Sequence, residues 1–241
     1  MPNATKVAAA SIGFDLVTTA QAAPPHADWT DKYQPRVVNG LILPASLKQL
    51  FASIAQSANS SSIPNILLCG STGSGKTATI DAIIAESRLD RHYINGALDN
   101  GIDMVRKLIR TVSLQSLYGH RAVFIDELDG LSAQAFSALR GDTLTTARVT
   151  SVFFATANDM SKIPDTIRSR FNTIDLGSAI KATRKQLLPL HIDRAVEILD
   201  NEGISYDRKV IANIVESRFP DMRSWISDLQ FRSATGQIDT M

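Results

Sequence analysis

A glycine-rich segment of eight residues gives the clearest chemical signal in the sequence. It fits the pattern G-x-x-x-x-G-K-T with Gly70, Ser71, Thr72, Gly73, Ser74, Gly75, Lys76 and Thr77, between an apolar run and a helix-like stretch. Glycines let backbone amides curve around phosphate oxygens, and the N-terminus of the helix that follows adds partial positive charge. The lysine reaches the β- and γ-phosphates, and the threonine hydroxyl can join a Mg²⁺ shell. The segment therefore predicts a site for ATP or GTP with Mg²⁺.

Two adjacent acids, Asp126 and Glu127, follow the apolar run 122–125, some fifty residues after the glycine-rich segment. If that run is a strand, Asp126 lies at the carboxyl edge of the sheet, where its carboxylate can bind Mg²⁺. Glu127 is then placed to orient or deprotonate the attacking water. An acidic pair after a strand is by itself more often the start of a helix. Its pairing with a phosphate-binding loop favours the catalytic interpretation.

Two segments further along the chain fit the same chemistry. Asn158 closes the apolar run 153–157 and could hold the water against the γ-phosphate. Two arginines, Arg168 and Arg170, directly precede the run 171–176. Each has an ordinary alternative: asparagine at a strand end is commonly a turn former, and the arginines could lie in a solvated turn or pair with a carboxylate.

A basic cluster lies on one side of the amphipathic helix predicted over 103–118. It consists of Arg106, Lys107 and Arg110. Such a cluster can contact DNA phosphates without reading bases, so that binding follows duplex shape and salt concentration. The alternative is an ordinary solvated helix face.

Short apolar runs that alternate with helical stretches predict the architecture around these residues. The predicted strands are 65–69, 92–95, 122–125, 150–157 and 171–176. Apolar strands separated by helices indicate a parallel sheet with helices on both faces, hence an α/β fold. After Gly177 only helical patterns follow, to about Leu229, which predicts a small all-helical second domain.

Composition limits the remaining possibilities. The chain has 241 residues, enough for one large or two modest domains, with 44% apolar and 20% charged residues. The formal charge is +1, so a nucleic-acid role requires a local basic face. The one cysteine, Cys69, excludes a disulfide scaffold and a four-cysteine zinc site. No apolar run approaches the ~18–20 residues of a membrane span, so we expect a cytoplasmic protein without a membrane partner.

The N-terminal segment loosely imitates a secretory signal. Lys6 precedes the apolar run 7–14, and Ala20-Gln21-Ala22 follows it. However, Asp15 directly follows the apolar run and only one basic residue precedes it, so we favour a flexible tail over 1–28.

From about Trp29 to Gln230, these motifs in this order resemble the AAA+ sliding-clamp loaders. The similarity is to the small subunits of replication factor C and to the large clamp-loader subunit of T-even-type phages. The matching segments are W-x-x-K-Y-x-P at 29–35, G-I-D-x-V-R at 101–106, D-E-x-D at 126–129, A-T-A-N at 155–158, S-R-F at 169–171 and P-D-M-R at 220–223.

The resemblance implies roles for further residues. The segment with Tyr33 and Pro35 would wrap the adenine. Arg170 would be an arginine finger for the ATP of a neighbouring subunit, and Arg223 would contact the γ-phosphate of its own site. The helix with the basic cluster would follow duplex DNA. The implied division is an AAA+ nucleotide-binding domain over 29–177, a helical lid over 178–232 and a tail over 233–241.

The implied function is to couple ATP binding and hydrolysis to the loading of a sliding clamp on primer–template DNA. The partners would be that DNA, the clamp, and other loader subunits or further copies of the chain. Two departures stand out: no segment matches the family's C-terminal collar domain, and Phe171 replaces a cysteine. A single cysteine does not fit the zinc-bearing bacterial loaders, so we expect a phage-encoded chain acting in the host cytoplasm. The alternatives are a helicase loader, a transposition or recombination regulator, or a nucleotide-gated scaffold.

Overall fold

A five-stranded parallel sheet forms the centre of the larger domain, in the order β2-β3-β4-β1-β5. In the computed structural model, which describes residues 28–56, 63–113, 121–140, 151–235 and 237–238, the strands are β1 Ile66–Cys69, β2 Asp90–Asn95, β3 Arg121–Asp126, β4 Ser151–Ala157 and β5 Asn172–Asp175. The predicted α/β fold is therefore confirmed. Burial explains why the sequence revealed it, since every residue of β1 and β4 is buried.

The register of the sheet brings the carboxyl ends of its strands to one edge. Cys69 pairs with Ala157 and with Asp175, and Asn95 pairs with Asp126. The segments that follow β1, β3 and β4 therefore begin side by side. These are the segments that carry the glycine-rich loop, the acidic pair and Asn158.

Helices cover both faces of this sheet. They are α2 Ala45–Ala55, α3 Lys76–Ser87, α4 Ile102–Ser113, α5 Ala133–Arg140, α6 Asp165–Arg168 and α7 Leu176–Ala182, whereas the short α1 Trp29–Lys32 packs against the C-terminal region. Strand β4 shows how two cores form. Phe154 packs into the apolar cluster that includes α2 and α3, and Phe153 packs into the cluster with α4 and α5, because successive side chains point to opposite faces. The part of the predicted helix beyond Ser113 lies outside the described residues.

The C-terminal region packs around Trp225, which is fully buried. Its helices are α8 Arg184–Glu202, α9 Arg208–Arg218 and α10 Met222–Arg232. The predicted helical domain is present, but it is not all-helical. Strand β6, Ser205–Tyr206, pairs in parallel with β7, Gln237–Ile238.

The residues expected as a C-terminal tail therefore belong in part to this core. Ile238 is only 2% exposed and joins the same apolar cluster as Trp225, because burying its side chain removes apolar surface from water. At the other end, residues 1–27 of the expected N-terminal tail lie outside the described residues, and Asp28 caps α1. The predicted domain boundary after Gly177 falls within α7 and stays a prediction.

Within the described ranges, none of the helices is long and apolar enough to span a membrane.

Candidate nucleotide-binding site

The glycine-rich loop connects the end of β1 to the start of α3, as its sequence predicts. Gly73 has a φ of +74°, and a Cβ there would overlap the Asp221 carboxylate, so a side chain would meet both backbone strain and a clash. Gly70 has a φ of +151°, and a Cβ would lie 2.7 Å from the backbone nitrogen of Gly177. The loop therefore packs against both α7 and the segment that begins α10.

Lys76 is 8% exposed and lies inside the loop. Its Nζ donates hydrogen bonds to the carbonyl oxygens of Gly70 and Ser71, both at 2.9 Å, and to Oδ1 of Asn158 at 2.8 Å. Burial lowers the pKa of the Lys76 ammonium, whereas the Asp126 charge opposes this shift. The predicted lysine and the predicted asparagine are thus in direct contact.

The Asp126 carboxylate lies at the end of β3, facing the first turn of α3. The Thr77 hydroxyl is 3.2 Å from both of its oxygens. Thr156 donates a hydrogen bond to Oδ1, and the Tyr93 hydroxyl donates to Oδ2 at 3.3 Å. The sequence did not predict the last two contacts, because a single hydroxyl within a strand carries no spacing signal.

This set of groups fits Mg²⁺. One carboxylate and a hydroxyl next to a phosphate-binding loop are the oxygen ligands that Mg²⁺ takes when substrate phosphates and water complete its shell. A cage of several acids is not required, and among the described residues no cluster of three or more His, Cys, Asp or Glu side chains could hold a metal.

Glu127 follows directly, in a left-handed backbone conformation with a φ of +54°. Its N–H donates to the Thr156 hydroxyl at 2.9 Å. Asp129, the last acid of the D-E-x-D segment, accepts hydrogen bonds from the backbone N–H groups of Asn158 and Asp159 at 3.2 and 2.9 Å. Hydrogen bonds from Glu127 and to Asp129 therefore connect the acidic segment after β3 to the end of β4.

A cavity of about 450 Å³ joins these groups. The predicted site residues that line it are Tyr33, Pro35, Thr72, Gly73, Gly75, Lys76, Thr77, Asp126, Glu127, Asn158 and Arg223. Gly70, Ser71 and Ser74 belong to the loop but not to the lining, and the Ser74 hydroxyl donates to the Ser71 carbonyl at 2.7 Å. Gln34, Asp81, Arg91, Tyr93, Thr156, Met222 and Ile226 are among the lining residues that the sequence did not single out.

The N-terminal segment that lines the cavity contacts the C-terminal domain. The Tyr33 hydroxyl donates to Glu202, and the Arg194 guanidinium donates to the Tyr33 carbonyl at 3.2 Å. Burial and then the Glu202 hydrogen bond raise the pKa of Tyr33. The Met222 N–H donates to the Gly73 carbonyl at 3.2 Å. A nucleotide in this cavity would touch both domains.

The other predicted site residues lie elsewhere. Arg170 follows α6, where its guanidinium donates to the Thr166 carbonyl, and it is not part of the cavity lining. Arg106, Lys107 and Arg110 are exposed on α4, and Arg106 pairs with Asp103 at 3.1 Å. From these positions, the side chains of Arg170 and of the three basic residues on α4 can contact only groups outside this cavity.

Two known families match separate parts of the chain. Residues 66–176 match the family described as "ATPase family associated with various cellular activities (AAA)", and residues 184–241 match "Sliding-clamp-loader large subunit, AAA+ ATPase lid domain". The chain is 34% identical to the sliding-clamp-loader large subunit of Enterobacteria phage T4, over 86% of this chain and 65% of that protein. It is 30% identical to the replication factor C small subunit of Thermoplasma acidophilum, over 87% of this chain and 65% of that protein.

The chain thus spans 65% of the length of these relatives. Among solved structures, the Thermotoga maritima RuvB Holliday junction branch migration motor is similar, with a TM-score of 0.64 and 18% identity over 82% of this chain and 64% of that one. At that identity the likeness shows the fold alone.

Proposed function

The chain belongs to the AAA+ ATPases and carries a lid domain of the sliding-clamp-loader type. From this premise, we propose that it binds and hydrolyses MgATP, and that it uses this cycle to load a sliding clamp on primer–template DNA. One observation carries the ATPase part. Lys76, Asp126 and Asn158 meet at one sheet edge, and Arg223 of the lid lines the same cavity.

In this proposal each cavity residue has one task. Lys76 binds the β- and γ-phosphates, and its present contacts with loop carbonyls and Asn158 hold the ammonium where those phosphates would arrive. Thr77 and Asp126 hold Mg²⁺, which when bound neutralises charge on the phosphates. Glu127 orients the attacking water and accepts its proton.

The remaining residues would position the nucleotide and report its state. Asn158 holds the water against the γ-phosphate, and Arg223 contacts that phosphate from the lid. Tyr33 and Pro35 would border the adenine. Because Tyr33 is bonded to Glu202 and Gly73 to Met222, nucleotide binding would set the position of the lid relative to the sheet.

Arg170 would act on the ATP of a neighbouring subunit, since it lies outside the lining of its own cavity. An arginine supplied in trans is worth about 10³–10⁵ in hydrolysis rate. A lone subunit should therefore be nearly inactive, and hydrolysis should report assembly with other loader subunits or further copies of the chain.

The basic cluster on α4 would contact primer–template DNA through phosphates, independently of sequence. Relatives from phages T4 and RB69 support a phage origin, and a phage-encoded loader would act in the host cytoplasm. The sliding clamp enters the proposal because both phage relatives are named sliding-clamp-loader large subunits.

The test is steady-state ATP hydrolysis as a function of protein concentration, without DNA, with single-stranded DNA and with primed template. We expect the rate per subunit to rise with concentration, to increase strongly on primed template and to respond to a phage clamp. Stimulation by single-stranded DNA, with no response to a clamp, would instead assign the chain to helicase loading or recombination. A slow rate that neither DNA nor concentration changes would contradict the loader proposal.

A further inference from the structure

A single buried hydroxyl joins the two acids of the nucleotide site. Thr156 is 1% exposed, near the end of β4. Its hydroxyl accepts the Glu127 N–H at 2.9 Å and donates to Oδ1 of Asp126. A hydroxyl has one proton and two lone pairs, so the proton and one lone pair are engaged by neighbouring residues of the acidic pair.

The register of the sheet explains why this side chain occupies the position. Strands β3 and β4 run in parallel with Ile125 opposite Ala155, so the next residue of β4 lies beside the start of the acidic pair. A valine would have nearly the same shape there but could neither donate nor accept. The hydroxyl is therefore the part of the Thr156 side chain that a valine would lack.

The contact with Glu127 acts on an unfavourable backbone conformation. A non-glycine residue with a φ of +54° is strained, and it persists where the surroundings hold it. The Glu127 carbonyl accepts the Gly130 N–H at 2.8 Å, and the Asp126 carbonyl accepts the Gly96 N–H at 2.7 Å. Thr156 supplies the hydrogen bond on the N–H side of the strained residue.

We propose that Thr156 is a positioning residue of the ATPase site. Its proton fixes the Asp126 carboxylate in the orientation that faces Thr77, and its lone pair holds Glu127 in the backbone conformation that places its side chain at the cavity. This inference rests on the proposed hydrolysis of MgATP. It does not depend on clamp loading.

The test compares Thr156→Val, which keeps the shape and removes the hydroxyl, with Thr156→Ser, which keeps the hydroxyl. The first measurement is the affinity for a fluorescent ATP analogue in EDTA and across a Mg²⁺ titration. The second is steady-state hydrolysis. For Thr156→Val we expect wild-type affinity in EDTA, a half-saturating Mg²⁺ concentration raised about tenfold, and a kcat lowered about ten- to a hundredfold, the range of one hydrogen bond to a charged group.

The expected rescue separates positioning from folding. Thr156→Ser should return both quantities to within about threefold of wild type. Ser151→Ala is the matched control, because it removes a buried hydroxyl at the other end of β4 for which the described chain shows no hydrogen-bond partner. It should leave the Mg²⁺ dependence unchanged.

Three results would overturn the inference: a wild-type Mg²⁺ titration and kcat in Thr156→Val, no rescue by Thr156→Ser, or equal losses in Ser151→Ala. If Thr156→Val does not fold, Thr156→Ala takes its place against the same serine variant. If the nucleotide affinity of the wild-type protein does not depend on the Mg²⁺ concentration, the proposed ATPase chemistry itself is contradicted.

Discussion

At the scale of single residues, the two acids after β3 have different surroundings, and these fit the different roles proposed for them. Asp126 is surrounded by three hydroxyl groups, from Thr77, Tyr93 and Thr156, which suits a metal ligand whose orientation must be fixed. Glu127 lines the cavity directly, which suits a group that handles the water. Neighbours along the chain thus meet different surroundings, because the backbone turns between them.

Glu127→Gln should therefore abolish hydrolysis and preserve nucleotide binding. An amide keeps the shape but accepts no proton, so kcat should fall by about 10²–10⁴, the usual contribution of a general base. Single-turnover hydrolysis and equilibrium binding of the fluorescent ATP analogue measure the two effects separately. Glu216→Gln, which neutralises an exposed acid paired with Arg184, is the control and should hydrolyse at the wild-type rate. Wild-type hydrolysis in Glu127→Gln would remove Glu127 from the mechanism.

How much of this site the sequence predicted depends on the kind of signal each residue leaves. The loop and the acidic pair were predictable because both sit at the end of an apolar run. Thr156 and Tyr93 were not, because each is one hydroxyl within a strand pattern. Glu202 contacts Tyr33 from 169 residues away along the chain, a distance that no local pattern encodes.

At the scale of elements, the contact between the phosphate loop and the start of α10 couples the two domains. The Gly73 carbonyl accepts the Met222 N–H, and the Asp221 carboxylate fills the space where a Gly73 side chain would lie. The same carboxylate caps α10 by accepting the Ser224 N–H at 2.9 Å. Loop conformation and lid position are therefore linked through one helix terminus.

Gly73→Ala should weaken nucleotide binding by at least about tenfold, because the alanine adds a clash with Asp221 to the backbone strain of a positive φ. Gly203→Ala is the matched control. Gly203 has a similar φ of +69°, but a Cβ there would meet nothing within 4 Å. Both variants should lose stability in thermal unfolding, whereas only Gly73→Ala should lose affinity for the fluorescent ATP analogue. Equal affinity in the two variants would show that the contact between the loop and the lid does not affect nucleotide binding.

The lid core contains a buried histidine that should make its stability depend on pH. His191 packs against the rings of Phe219 and Trp225, with centroids 5.1 and 6.2 Å away. Neither ring nitrogen has a hydrogen-bond partner among the described residues, and burial lowers the pKa of His191 from 6.5 to about 4. The unfolded chain therefore binds the proton first as pH falls, and the folded state is disfavoured.

The stability contributed by neutral His191 should be fully present above pH 6.5 and be lost as the pH falls toward 4, by about 3 kcal/mol. Urea unfolding between pH 4.5 and 8 measures it. In His191→Leu, which keeps an apolar side chain in the site, the free energy of unfolding should change less over this range than in wild type. The same pH dependence in both proteins would show that other groups are responsible.

Sequence also predicted the elements unevenly. Strands β1, β3 and β4 were predictable because burial makes them largely apolar, whereas the edge strands β2 and β5 are mostly exposed and carry a weaker signal. Strands β6 and β7 have two residues each, too few for any periodicity, and their pairing depends on Ile238 reaching the lid core. The position of Trp29 was likewise not predictable from local sequence, since it belongs to the lid core although α1 precedes the sheet along the chain.

At the scale of the whole molecule, the position of Arg170 indicates what one subunit would need from a neighbour. The phosphate loop, the proposed Mg²⁺ ligand Asp126, the proposed base Glu127 and Arg223 of the lid line one cavity, but Arg170 lies outside its lining. Arg168 lies two residues earlier and pairs with Asp165 in its own helix, so it is a natural comparison. If Arg170 acts on the ATP of a neighbouring subunit, a subunit that lacks Arg170 and a subunit that lacks Glu127 should together form an intact site.

Arg170→Ala should lower hydrolysis by about 10³–10⁵ with nearly unchanged ATP affinity, while Arg168→Ala should stay close to wild type. Mixing Arg170→Ala with Glu127→Gln gives the sharper result. Each variant alone is inactive, but wherever an Arg170→Ala subunit receives the intact finger of a Glu127→Gln neighbour, one complete site forms. Hydrolysis in the mixture should therefore reach a sizeable fraction of the wild-type rate on primed template.

The composition of the mixture adds a quantitative check. If neighbours in a ring of identical subunits are drawn at random, activity should pass through a maximum near equal amounts and vanish at either end. Activity that stays absent at every ratio, together with a large loss of ATP affinity in Arg170→Ala, would place this arginine in its own subunit's fold. Copies of the chain would then not need one another to hydrolyse ATP, and the link between hydrolysis and assembly would fail.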